Sequence, residues 1–219
     1  SWTVYRDSAG EVRRAKGYIT QASSSVTALI EPIMVRRTDD NRRATETIVT
    51  RRAAGVTGAL TSTENVSDQT RWVRWSQWTY DNNSTTANKE RVYFVIPTSG
   101  AGTSTGNYSE TAWQYGIDAR RLRELTPGGT IRRWTYDVRK RVTGLWIGTD
   151  DTGATEQDPS DGGSNDMRQV EGYQYDNGGV GSNKVTELRL PVDANISNDR
   201  VLSFAYDWRN RLTSVTGDL

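Results

Sequence analysis

Hydrophobic and polar residues alternate along most of this chain, and long apolar runs are rare. Side chains in a β-strand point alternately to opposite faces, so two aromatic residues separated by one spacer share a face. The clearest examples are residues 134–137, which read Trp-Thr-Tyr-Asp, and residues 204–207, which read Phe-Ala-Tyr-Asp. Four residues after each aspartate comes an arginine, Arg141 and Arg211 respectively. Because aspartate favours turns, each stretch predicts a strand, a turn led by aspartate, and a returning strand.

Weaker copies of the same unit begin at Trp78, Trp113 and Tyr173, and a variant lies at residues 5–12. An isolated hairpin is marginally stable in water, so repeated hairpins are expected to stack on one another. The positions that define the repeated motif are Trp78, Tyr80, Asp81, Trp113, Tyr115, Asp118, Trp134, Tyr136, Asp137, Arg141, Tyr173, Tyr175, Asp176, Phe204, Tyr206, Asp207 and Arg211.

The Tyr-Asp pairs followed by an arginine and an aliphatic residue resemble the YD repeats of Rhs proteins, toxin-complex shell subunits and teneurins. The clearest repeats are residues 113–145, including the turn at residues 126–129, and residues 204–219. The glycine that usually precedes the arginine in this family is replaced by Lys140 and Asn210, and asparagine tolerates a left-handed backbone. The resemblance implies an all-β fold in which stacked antiparallel β-hairpins form a β-solenoid or an open spiralling barrel. We expect one such domain over residues 1–219.

Other strands are predicted at residues 28–37, interrupted by Pro32, and at 44–52, 71–80, 91–96, 185–190, 201–207 and 211–215. In the aromatic segment 71–80, alternation places Trp72 on one face with Trp78 and Tyr80, and Trp75 on the other. Residues 117–125 are good helix formers, but the repeat pattern and the Pro-Gly-Gly turn that follows favour a strand there.

The composition limits the classes of function. The formal net charge is +1, so no electrostatic field for nucleic acid or a membrane surface is expected. Cysteine and histidine are both absent, which removes disulfides, thiol nucleophiles and imidazole bases or ligands. No apolar run approaches the ~20 residues of a membrane-spanning helix. Eight tryptophans and ten tyrosines supply apolar surface for burial in a chain that is only 34% hydrophobic.

One loop offers candidate metal ligands. Asp150, Asp151, Asp158 and Asp161 could bind calcium through carboxylate oxygens, although their spacing differs from that of a helix-loop-helix calcium site. A solvated loop is the favoured interpretation, because aspartate and glycine are common in turns. No cofactor is expected.

Repetition argues against catalysis, because an active site needs one preorganised constellation of groups rather than several copies. We therefore expect a non-catalytic structural protein, extracellular or at the cell surface. In the favoured hypothesis, copies assemble head to tail into a filament or sheath, with the C-terminal hairpin pairing to the N-terminal strand of the next copy. The alternatives are a segment of an Rhs-type shell that encloses a toxin, and a surface adhesin that binds glycans through exposed aromatic residues.

Overall fold

The fold is known from a computed structural model that describes residues 2–16, 18–20, 27–29, 32–81, 84–178, 183–193 and 195–217. Over these residues the chain forms β-strands and short 3-10 turns, and no α-helix. The predicted all-β fold of stacked antiparallel hairpins is confirmed. The strands are β1 (Trp2–Arg6), β2 (Val12–Lys16), β3 (Tyr18–Thr20), β4 (Thr27–Leu29), β5 (Ile33–Thr38), β6 (Ala44–Thr50), β7 (Trp72–Tyr80), β8 (Ala87–Tyr93), β9 (Tyr108–Tyr115), β10 (Arg121–Leu125), β11 (Ile131–Tyr136), β12 (Val142–Gly148), β13 (Arg168–Tyr175), β14 (Val185–Leu190), β15 (Arg200–Tyr206) and β16 (Leu212–Gly217).

Fourteen strands are sheet neighbours in chain order, β1, β2, then β5 to β16, and β3 pairs separately with β4. Apart from β5, which pairs with β2, each strand after β1 in this sheet pairs with the strand that directly precedes it in the chain. Contacts divide the chain into two compact units, Ser1–Ala112 and Trp113–Leu219. The single domain expected for residues 1–219 stays a prediction.

The core of the N-terminal unit lies on one face of its sheet. Ile33, Val35 and Ile48 are buried there, next to the rings of Trp75 and Tyr93, which stack at 3.8 Å between centroids. The long connection between β6 and β7 covers this face with Leu60 and Val66. Inside this connection Arg52 pairs with the buried Glu64 at 2.8 Å, which compensates the burial of that carboxylate.

The predicted face of Trp72 is wrong. The register between β6 and β7 shifts between Val49 and Thr50, so the strict alternation of β7 is broken near its start. Trp72 therefore packs edge-on against Trp75, with ring centroids 4.9 Å apart, instead of pointing to the opposite face. Its indole N–H donates to the carbonyl of Val66, so the ring also fastens the covering connection.

Several strand bounds differ from the predictions. The strand predicted at residues 91–96 begins earlier, at Ala87, and ends at Tyr93, because the chain turns at Phe94 and pairs its backbone with Asn107. The strand predicted at 117–125 forms only from Arg121, since residues 117–119 make a turn. The interruption at Pro32 is confirmed, because β5 begins directly after it.

In the C-terminal unit a loop over residues 149–167 packs on the sheet. Asp151 accepts hydrogen bonds from Arg123 at 2.6 Å and from Arg133 at 2.7 Å, on β10 and β11. Met167 is fully buried at the end of this loop. The ion pairs therefore hold an acidic loop against two adjacent strands.

We expect Trp75→Ala to lower the free energy of unfolding by about 3–5 kcal/mol, because it removes a large ring at the centre of the N-terminal core. Trp75 is only 4% exposed, whereas Trp208 is 83% exposed. Trp208→Ala is therefore the control and should change stability by less than about 0.5 kcal/mol. Urea titration measures both, and equal effects of the two substitutions would contradict this description of the core.

Candidate functional site: the Tyr-Asp-Arg turn units

The repeated unit is a hairpin turn held by its own aspartate. At Asp137 the backbone N–H donates to the carbonyl of Arg141 at 3.0 Å, and the N–H of Lys140 donates to the carbonyl of Asp137 at 2.9 Å. The Asp137 carboxylate accepts the N–H groups of Arg139 and Arg141 on one oxygen and the Arg141 guanidinium at 2.6 Å on the other. The Asp137 side chain thus accepts hydrogen bonds from two backbone N–H groups of the turn and also forms an ion pair with Arg141.

Among the described residues, the same backbone closure occurs at six turns. In each, the first residue donates its N–H to the carbonyl four residues later, and the residue three positions on has a positive φ. This is a type I turn followed by a left-handed residue, a common connection in hairpins. The first residues are Asp7, Asp39, Gly116, Thr126, Asp137 and Asp207. Lys140 and Asn210 have φ values of 68° and 62°, a left-handed backbone that glycine adopts without strain.

At four turns of the described residues, a basic side chain reaches the tyrosine of the next hairpin. The Arg141 guanidinium lies 4.3 Å from the Tyr175 ring centroid and donates to Asp176 at 2.7 Å. Arg43 lies 4.6 Å from the ring of Tyr80 in the N-terminal unit. The same relation joins Arg120 to Tyr136 at 4.7 Å, and Lys184 to Tyr206 at 5.9 Å. Cation–π contacts therefore connect successive hairpins at one end of their strands.

The tyrosine hydroxyls complete these connections. In each case the hydroxyl donates to the carbonyl of the residue that follows the cation of the preceding hairpin. Tyr80 donates to Ala44, Tyr136 to Arg121, Tyr175 to Val142 and Tyr206 to Val185, at 2.6–2.9 Å. The ring, the hydroxyl and the cation thus form one contact that occurs four times.

The aromatic residue two positions before the tyrosine is half-buried in four units, at Trp78, Trp113, Trp134 and Phe204. Arg121 lies between two of these rings, 5.8 Å from Trp113 and 5.7 Å from Trp134. Tyr173 holds this position in the fifth unit and donates its hydroxyl to Glu171. Burial and this carboxylate raise the pKa of Tyr173 to about 12.

All three weaker copies depart from the motif at the turn, and at Asp176 the N–H donates to the carbonyl of Lys184, eight residues later. Next to Tyr115 the first turn residue is Gly116, and Asp118 lies inside the turn, where it pairs with Arg120 at 2.6 Å and Lys140 at 3.1 Å. Asp81 accepts instead from the amide of Asn88 at 2.5 Å.

Sequence reasoning missed one unit of this kind. Asp39 closes its turn as Asp137 does, accepting the N–H of Arg43 at 2.9 Å and its guanidinium at 2.7 Å. Thr38 occupies the place of the tyrosine, so a search for Tyr-Asp passes over it. The spacing of aspartate and arginine, four residues as in the two clearest units, was the signal that could have found it.

The candidate calcium ligands have other partners. Asp151 is bound by two arginines, and Asp150 accepts the N–H of Thr152 at 2.9 Å. Asp158 accepts the N–H groups of Ser160 and Gly162, while Asp161 accepts the hydroxyl of Ser164. Within the described part of the chain, no three acidic side chains come together as a metal-binding group. The calcium site stays a prediction.

The turn carboxylates are held in their charged form. Burial alone would raise the pKa of Asp137, but hydrogen bonds from the Arg141 backbone and guanidinium outweigh it and lower the pKa below its usual range. Asp176 has the same balance, with Arg141 as its partner, and its pKa is lowered. The pKa of Asp207 is lowered first by the N–H of Arg211.

No protein-family model matches the chain, and no curated protein matches it significantly. The chain is similar to part of the crystal structure of TcdB2-TccC3-Cdc42, at 12% identity and a TM-score of 0.46, over 99% of this chain and 10% of that chain. It is also similar to part of the Photorhabdus luminescens Tc holotoxin pore, at 14% identity and a TM-score of 0.30, over 99% of this chain and 11% of that one. This chain thus spans about a tenth of the length of these solved chains. No family membership follows from likeness at this level.

We expect Arg42→Gly to stabilise the protein by about 0.5–1 kcal/mol. Arg42 has a φ of 62°, a left-handed backbone that is strained for any residue except glycine. The free energy gained by removing this strain is larger than the free energy lost because glycine has more conformational entropy in the unfolded chain. Arg42→Ala is the matched control, because alanine loses the side chain but keeps the backbone strain. Thermal unfolding measures the stability of the two variants. If Arg42→Ala stabilises the protein as much as Arg42→Gly does, backbone strain is not the cause.

The lowered pKa values of Asp137, Asp176 and Asp207 predict acid sensitivity. An aspartate titrates near pH 3.9 when unfolded, so its contribution is complete above about pH 4 and is lost as the pH falls through the lower folded pKa. The melting temperature should therefore decline below about pH 4. Asp137→Asn should lower stability at pH 7 and make the acid decline shallower. An unchanged decline in that variant would show that Asp137 does not contribute to it.

Proposed function

We propose that this chain is a non-catalytic structural protein of the YD-repeat type, a wall built from hairpins that are joined by their turns. The observation that carries the proposal is the contact of cation, tyrosine ring and carbonyl, which occurs at four joints between neighbouring hairpins of the described residues. A contact that recurs at four joints serves the assembly of the sheet, whereas a catalytic group acts in one constellation.

The role that these joints support best is that of a shell-type wall segment, in which successive hairpins extend one sheet. The half-buried aromatic residues of the repeats favour this role over an adhesin, since their rings are largely used in packing. We propose an extracellular or cell-surface location on the basis of the repeat resemblance alone. Over the residues described, no helix is long and apolar enough to cross a membrane.

Self-assembly into a head-to-tail filament is the second candidate that we propose. Every residue of β16 is exposed, and Trp2 and Val4 of β1 are about half exposed. An unpaired strand edge readily pairs with another chain. Copies that pair β16 with β1 would form a head-to-tail filament, and sedimentation at rising concentration would detect it.

The structural role is tested by removing the tyrosine hydroxyls one at a time. Tyr80→Phe, Tyr136→Phe, Tyr175→Phe and Tyr206→Phe should each lower the free energy of unfolding by about 0.5–1.5 kcal/mol, the net value of one hydrogen bond. Hydrogen exchange should increase in the strands on both sides of the altered joint, and the four losses should be similar in size.

Tyr173→Phe is the matched control, because the Tyr173 hydroxyl binds Glu171 of its own strand and joins no hairpins. Tyr173→Phe should leave hydrogen exchange at the neighbouring joints unchanged. If the four hydroxyls could be removed without loss of protection at any joint, the proposed structural role would be wrong.

A further inference from the structure

The two faces of the N-terminal sheet differ in how their arginines are neutralised. The covered face carries the buried Ile33 and Val35 of β5, and we call the opposite side of strands β5 to β8 the open face. Side chains alternate between the faces of a sheet, so two adjacent arginines point to opposite sides. On the covered face Arg37 is bound by two acids, Glu11 and Glu46, at 2.9 Å each.

Arginines of the open face have no such acids. Arg36 is exposed there and pairs with no acidic side chain of the described residues. The same division occurs directly after β6, where Arg52 is bound by the buried Glu64 and the preceding Arg51 is exposed without an acidic partner in that part of the chain. On β7, Arg74 is likewise exposed and unpaired among the described residues. The sheet thus separates neutralised arginines from arginines whose charge faces solvent.

Strand register brings the three exposed arginines into one area. Val49 pairs with Met34 on one side and with Arg74 on the other. Arg36 lies two residues after Met34, and Arg51 lies two residues after Val49. From the usual spacing of strands and residues in a sheet, the Cα atoms of the three arginines are about 8–14 Å apart. Met34 between them is 47% exposed. We call these five residues the arginine patch.

Acidic side chains are scarce around the arginine patch. Strands β5 to β8 contain two glutamates, and one of them, Glu46, points to the covered face and binds Arg37. The other, Glu90, is on the open face opposite Trp78. Trp78 is four residues along β7 from Arg74, a distance of about 14 Å. The patch therefore has a local positive potential, although the formal net charge of the chain is only +1.

We propose that the arginine patch binds an anionic polysaccharide, a sugar chain that carries carboxylate or sulfate groups at intervals. A guanidinium group binds the two oxygens of a carboxylate through parallel hydrogen bonds. Three guanidinium groups on one flat face can contact successive anionic groups of an extended chain. The aliphatic side chains of Met34 and Val49 lie between the arginines, where they can contact the C–H faces of the sugar rings.

The patch suits a sparsely charged chain better than nucleic acid. Duplex DNA carries one charge per about 1.7 Å of its length, and its protein sites typically neutralise about 6–10 phosphates. Three arginines about 8–14 Å apart would contact far fewer phosphates. Entry into the major groove also requires an α-helix or a projecting β-ribbon, whereas the described strands β5 to β8 present a sheet face.

An acidic peptide is disfavoured because the patch offers no backbone partners. Strands β5, β6 and β7 each pair with a neighbour on both sides, so their N–H and C=O groups are used within the sheet. An extended peptide binds a sheet by adding a strand to an open edge, and a helical peptide requires an apolar groove. A polysaccharide requires neither, since its anionic groups and ring faces make the contacts.

The test is a calorimetric titration of the 219-residue chain with two anionic polysaccharides, polygalacturonate and chondroitin sulfate. The first carries carboxylates alone and the second carries carboxylates and sulfates, so the comparison shows which group is preferred. Fully methyl-esterified polygalacturonate is the matched control, because it keeps the sugar chain and loses the charge. We expect at least one anionic chain to bind, with an affinity that falls as the salt concentration rises, and the esterified chain not to bind.

On the protein side, Arg36→Gln combined with Arg74→Gln should weaken binding by about 10-fold or more, because charged hydrogen bonds are lost. Arg200→Gln combined with Arg209→Gln is the matched control. Both of these arginines are exposed and belong to the C-terminal unit, so the net charge changes equally but the patch is intact. This control should bind as the unaltered chain does. Ser76→Glu places a negative charge in the same row as Arg36 and should also weaken binding.

The inference is overturned if neither anionic polysaccharide binds, or if the two double variants weaken binding equally. It is also overturned if single-stranded DNA or polyglutamate binds more tightly than both polysaccharides at the same salt concentration, because the class of ligand would then be wrong. Thermal unfolding checks that the double variant at Arg36 and Arg74 is folded, and if it is not, Ser76→Glu gives the result. None of these outcomes bears on the proposed structural role, since the four joints use other cations.

Discussion

The rest of the fold depends on how neighbouring hairpins fix their register. A strand that slips by two residues keeps the same side chains on the same face, so hydrophobic alternation alone allows several registers. The contact of Arg141 with Tyr175 and Asp176 exists in one register only, because it needs the cation opposite the ring. Repeated along the sheet, it turns a series of marginal hairpins into a defined stack.

The contact between a basic side chain and the tyrosine of the next hairpin suits a chain with few aliphatic residues. In the N-terminal unit the buried core is small, and aromatic rings such as Trp75 and Tyr93 supply much of its volume. The connection between β6 and β7 supplies further cover through Leu60 and Val66. A sheet with so limited a core needs directional contacts at its strand ends, where hydrogen bonds and ring contacts each contribute about 1 kcal/mol.

The hairpins could be predicted because their signals are local. A period of two and an aspartate at the turn specify strand, turn and strand for residues 204–215 without reference to the rest of the chain. The face of Trp72 could not be predicted, since the register shift at Thr50 depends on pairing with another strand. Nor could the packing of residues 149–167, which depends on Arg123 and Arg133 reaching Asp151 across the sheet. The turn at Asp39 lay within reach of the sequence, because its spacing to Arg43 repeats that of the clearest units.

Arginine is suited to these joints for a geometric reason. The guanidinium of Arg141 makes three contacts at once, with Asp137 through Nε, Asp176 through Nη1, and the ring of Tyr175 through its flat face. The lysine ammonium is a compact point charge without a planar fork of donors, so it cannot make these three contacts in the same geometry. Lys184 holds the same place in the joint to Tyr206, and its ammonium lies 5.9 Å from the ring centroid, farther than any arginine in the other three joints. The planar guanidinium of Arg141 therefore holds its own turn closed and also binds that turn to the next hairpin. Successive hairpins in a sheet need both kinds of contact.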